Sequence, residues 1–119
     1  MIDLQKLCKI TLENAEKRQR NGANITTDTR KMLKHCATEV LEAMEAYTEL
    51  AIVREANKDT EVCTFEDEKH FESELADIVC CCLIIAGKED IDIERAIYDC
   101  VEKNEKPCKD WEYDNGENS

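Results

Sequence analysis

Glu74-Leu75-Ala76-Asp77-Ile78-Val79-Cys80-Cys81-Cys82-Leu83-Ile84-Ile85 is the stretch on which the reading of this 119-residue chain turns. At helical spacing, Phe71, Leu75, Ile78, Cys82 and Ile85 form one apolar face, and Ala76, Cys80, Leu83 and Ile84 form a second. A single polar line, His70, Glu74 and Asp77, runs between them. A helix apolar on nearly every side is buried on nearly every side. A buried carboxylate is costly unless it is paired or holds a metal. Glu74 and Asp77 are therefore candidates for chemistry rather than solvated surface charges.

A second acidic pair precedes this one, in Glu39-Val40-Leu41-Glu42. Carboxylates three residues apart are neighbours on a helix, with about 5–6 Å between their β-carbons. Alone, Glu39 and Glu42 would be the solvated face of an amphipathic helix, as Glu45, Glu49 and Glu55 are. Facing Glu74 and Asp77, they would complete a four-carboxylate cluster. Such a cluster raises the pKa values of its members unless a cation neutralises them. All-oxygen ligands suit a hard divalent ion, Mg²⁺ above all, with Mn²⁺ as its substitute.

The rest of the chain is a helical scaffold. With one proline, three glycines and almost no strand-like alternation, helix is the only abundant signal. A first helix is expected from the N-cap Asp3 to Arg20, with Leu4, Leu7, Cys8, Leu12 and Ala15 as its stripe and Asn21-Gly22 at its end. A second, capped by Thr27 or Asp28, continues to Ala56. Its stripe is Leu33, Cys36, Ala37, Val40, Met44, Tyr47, Thr48 and Ala51, with Glu39 at the margin and Glu42 beyond. The third begins between Thr64 and Asp67 and stops at Gly87 in a C-cap position. The fourth starts at Asp90 or Asp92, buries Ile93, Ala96, Ile97, Cys100 and Val101, and ends at Pro107. The predicted fold is all-α: a four-helix bundle-like subunit of two long antiparallel central helices plus shorter N- and C-terminal ones. Residues 1–107 form one domain, and 108–119 an acidic, loosely ordered tail. Four helices in so short a chain leave apolar surface over, which predicts a two-fold homodimer, with a tetramer as the further association.

A net charge of −12 argues against a stable complex with nucleic acid or with an anionic membrane. An anionic small substrate remains admissible if metal ions carry positive charge into the site. No apolar run is long enough for a membrane span, and the first residues lack a signal-peptide pattern, so the expected location is cytoplasmic. Of the eight cysteines, Cys8, Cys36, Cys80, Cys81, Cys82 and Cys100 fall inside helical patterns. They read as reduced structural thiols, there being no Cys-x-x-Cys pair and no clustered histidines.

The sequence resembles the MazG superfamily of all-α nucleotide pyrophosphohydrolases over residues 30 to 107. The likeness rests on Glu39-x-x-Glu42, Glu74-x-x-Asp77 and the ending Glu102-Lys103-Asn104-Glu105-Lys106-Pro107, in that order. The resemblance implies hydrolysis of a nucleoside triphosphate between its α- and β-phosphates, giving a monophosphate and pyrophosphate. It would make Glu39, Glu42, Glu74 and Asp77 the Mg²⁺ ligands, with Glu39 also taking the attacking water's proton. Asn104, Lys103 and Lys106 would hold phosphate, and the first helix, through Asn14 and Gln19, would help form the base pocket. The chain departs from the family at Thr38, where many members carry a further acid, and at Cys100, where a lysine is frequent.

Two rival readings use the same residues. One is a non-catalytic helical dimer acting as an interaction or scaffold protein. The other is a di-iron carboxylate bundle, whose Glu-x-x-His pairs neither acidic motif supplies.

Overall fold

The computed structural model describes residues 2–61 and 63–106. They form four helices, α1 (Leu4–Arg20), α2 (Thr29–Ala56), α3 (Phe65–Lys88) and α4 (Ile93–Glu105), with no strand among them. The starts of three follow from capping chemistry. Asp3, Asp28 and Asp92 accept from the backbone N–H of Lys6, Lys31 and Arg95, each at 3.1 Å, satisfying donors that a helix's first turn leaves without partners. The start of α3 lacks that cap. There the Thr64 hydroxyl donates to Glu68 at 2.9 Å.

α3 is the central element, packed against α2 on one side and α1 on the other. The short connector after α2 makes α2 and α3 antiparallel. At one end Arg54 meets Glu68 at 3.3 Å, and at the other Thr29 donates to Glu89. Tyr47 and Phe71 meet across the pair in a tilted ring contact, with centroids 5.3 Å apart. α4 is tied to the first turn of α1 by Gln5, which donates to the Ile91 carbonyl at 3.3 Å and accepts from the Glu94 N–H at 3.2 Å.

Gly87 does not end α3, as the sequence suggests, but lies within it. Its missing side chain has another use. A β-carbon there would stand 3.0 Å from the Cys8 carbonyl oxygen and 3.4 Å from Leu12 Cβ, so glycine is what lets α1 close onto α3. The turn comes at Asp90, at φ +55°, with Ile91 N–H donating back to the Ala86 carbonyl at 2.9 Å. Aspartate tolerates this left-handed conformation better than most residues. α1 ends in the same way with glycine, Gly22 at φ +92°.

The buried stripes also differ from expectation. α2 buries Met32, Glu39, Ala43, Ala46 and Leu50, so Glu39 lies within the buried face rather than at its margin. The expected stripe members Leu33, Val40, Met44 and Tyr47 are exposed. α4 buries nothing completely: Ile97, Tyr98 and Val101 face outward. Small residues, Ala43 and Ala46, lie on the buried face of α2 beside Met32 and Leu50, while Leu33, Val40 and Met44 stay exposed. Cys8 and Cys81 are buried, whereas Cys80, Cys82 and Cys100 are exposed, contrary to a uniformly buried role. No disulfide occurs among the described residues. None of their helices is long and apolar enough to cross a membrane. The expectations for Pro107 and the 108–119 tail lie outside the described residues.

Candidate metal centre

The antiparallel register of α2 and α3 places Glu39 opposite Glu74 and Asp77. One carboxylate oxygen from each lies within 4.8 Å of the other two. Neighbouring oxygens on a single octahedral Mg²⁺ stand about 3 Å apart and opposite ones about 4.2 Å, so the three carboxylates would draw together around an ion. The side chains of Glu39 and Glu74 are only 10% and 15% exposed, whereas Asp77 opens to solvent. Glu42 is exposed and outside this group of three.

The electrostatics are those of an unbalanced cluster. Burial pushes the Glu39 carboxyl above its ordinary range, and the negative charges of Glu42, Asp77 and Glu74 push it further, against an opposing pull from His35. Glu42 thus acts on the centre without touching it. Glu39 Oε2 and Glu74 Oε1 are buried and without a hydrogen-bond partner. A buried carboxylate oxygen with no donor costs free energy that a hard cation would offset. The donor set fits Mg²⁺ or Mn²⁺: three carboxylates, all oxygen, two of them with an oxygen to spare.

A cleft of about 720 Å³ opens beside the carboxylates. α1 contributes Arg18 and Gln19, the following loop Asn24 and Ile25, and α2 Lys31 and His35, with Glu39 and Asp77 at one wall. Gln19 donates to the Ile25 carbonyl at 3.0 Å, holding the loop against α1. The volume lies within the range of small-molecule sites. Arg18 and Lys31 form no ion pair with any described residue. Two cations unpaired among the described residues, lining one cleft with carboxylates, suit a ligand that carries several negative charges.

Of the other expected site residues, Gln19 lines the cleft and the rest lie elsewhere. Asn14 is exposed on α1, one residue before Ala15, which does line the cleft. Lys103 and Asn104 are exposed on α4, which packs on α1, and Lys106 follows its last turn. None of the four lines the cleft beside the carboxylates. Arg18, Lys31 and His35, which do, were not singled out from the sequence. His35 alone carried a signal, standing four residues before Glu39 as His70 stands before Glu74.

The sequence model of the MazG nucleotide pyrophosphohydrolase domain family matches residues 27–111. No curated protein and no solved structure matches the chain.

Proposed function

The chain belongs to the MazG nucleotide pyrophosphohydrolase domain family, and on that premise we propose that it is a Mg²⁺-dependent nucleoside triphosphate pyrophosphohydrolase. It adds water across the bond between the α- and β-phosphates, releasing a nucleoside or deoxynucleoside monophosphate and pyrophosphate. The observation that carries the proposal is the trio Glu39, Glu74 and Asp77, with two orphaned buried oxygens, of which Glu39 and Asp77 stand at the wall of a cleft of nucleotide size.

Glu39, Glu74 and Asp77 would hold the metal, with Glu42 joining from the margin. When bound, the ion supplies neutralisation of phosphate charge and a lowered pKa for the attacking water. Glu39 is the general base. Its carboxylate, at the cleft wall, is placed to accept the attacking water's proton. Arg18 and Lys31, at the cleft wall, bind the triphosphate's outer charge. Met32, Ile25 and Ile84 give the base and sugar an apolar bed.

The working assembly is a homodimer that can pair into a tetramer. The uncovered apolar stripes of α2 and α4 support it. Lys103, Asn104 and Lys106 serve phosphate binding when a second copy brings its α4 to the cleft, and Asn14 flanks the base. Removal of damaged or surplus nucleotides from a cytoplasmic pool is the role that this reaction serves.

Product analysis with Mg²⁺ and a panel of canonical and modified nucleoside triphosphates tests the reaction. Monophosphate and pyrophosphate are expected, lost on adding chelator and in Glu74→Gln. Diphosphate and phosphate, or no turnover on any member of the panel, would overturn it.

A further inference from the structure

Both helices that carry the carboxylates also carry an imidazole one turn earlier. His35 Nε2 lies 3.3 Å from Glu39 Oε1, and His70 Nε2 lies 3.3 Å from Glu74 Oε2, each pair spaced i, i+4. In both glutamates the opposite oxygen, Glu39 Oε2 and Glu74 Oε1, is the buried one without a partner. The two side chains are therefore oriented alike, with one oxygen toward an imidazole and the other free for a ligand. Histidine–glutamate pairs at this spacing are ordinary on helix surfaces. These two are unusual in that the partner is buried. The rings are 54% and 53% exposed while the glutamates are 10% and 15% exposed, so the contact is not imposed by burial of the ring.

We propose that His35 and His70 are positioning residues for the metal centre. Each ring pairs through Nε2 with the carboxylate oxygen it faces, which holds the glutamate rotamer and aims the free oxygen at the divalent ion. Neither ring belongs to the group of mutually close ligand atoms, so the histidines act through the glutamates and not as ligands. Partners of this kind, one shell out from a metal, typically govern its affinity by about 10–100-fold. The inference rests on the metal centre proposed above.

The test is calorimetric titration of the metal-free protein with Mn²⁺, for the wild type, His35→Ala, His70→Ala and the glutamine variants His35→Gln and His70→Gln, with a metal-free melt of each. The alanine variants are expected to bind Mn²⁺ about 10–100-fold more weakly while melting like the wild type without metal. Glutamine, whose amide N–H can make the same pairing, is expected to recover most of the affinity. Alanine variants that bind as tightly as the wild type would overturn the proposal, as would glutamine variants no better than alanine. A wild type that binds no Mn²⁺ would instead refute the metal centre itself, which separates the two failures.

Discussion

Replacing Glu39 by glutamine is expected to make the metal-free protein more stable and to remove its response to metal. The substitution keeps the shape of the side chain and deletes a charge that stands within 4.8 Å of oxygens of Glu74 and Asp77. At that distance two unit charges repel by about 0.9 kcal/mol at the dielectric of water and by about 3.5 kcal/mol at an effective value of 20. Glu39 and Glu74 are largely buried while Asp77 is open to water, so the gain falls at about 1–3 kcal/mol. For a domain of this length that corresponds to about 3–6 °C per kcal/mol.

The pH dependence has a definite sign. Because burial and its acidic neighbours raise the Glu39 carboxyl, the folded state binds its proton more tightly than the unfolded state does. Stability present at acid pH is therefore lost as pH rises from the ordinary carboxylate value through the raised one. Glu39→Gln lacks that decline. Melts of both proteins in chelator from pH ~4 to ~8, repeated with Mn²⁺, follow the effect. Without metal the variant should melt higher at neutral pH, and with saturating Mn²⁺ the wild type should gain while the variant does not. A variant that melts lower without metal, and is stabilised by Mn²⁺ as much as the wild type, would refute this reasoning.

Two further substitutions probe the scaffold. Gly87→Val puts side-chain atoms where even a β-carbon would lie 3.0 Å from the Cys8 carbonyl oxygen. It should cost about 1–3 kcal/mol by forcing α1 off α3, read as a lower denaturant midpoint, and an unchanged midpoint would contradict the close approach. Met44→Lys alters a side chain 60% exposed in the single chain, so it should leave the fold intact while shifting sedimentation toward monomer. Unchanged sedimentation would remove this face from the proposed dimer.

Helix placement was legible because it rests on local chemistry. Aspartate caps at Asp3, Asp28 and Asp92, and Asn21-Gly22 at the end of α1, fix boundaries that the structure reproduces. The end of α3 was misread because glycine has two uses in a helix, a left-handed turn and a close approach. Only the neighbouring α1 shows that Gly87 serves the second. The buried face of α2 was misassigned because large apolar residues outweigh alanine in any periodicity count. That face carries Ala43 and Ala46, with Glu39 among them. Glu74 and Asp77 stand out in the sequence because α3 is so apolar that its polar line is visible, whereas Glu39 is brought beside them only by the packing of α2 on α3. Arg18 and Lys31 do not stand out, since cations on exposed helix turns are indistinguishable until the fold brings α1 beside α2 and α3.

The most direct test of the metal centre is anomalous diffraction from crystals of the protein soaked in Mn²⁺. A peak between the carboxylates of Glu39, Glu74 and Asp77, absent from Glu39→Gln crystals treated alike, is the predicted result. Ordered carboxylates with no peak between them, or Mn²⁺ bound only elsewhere on the surface, would contradict it.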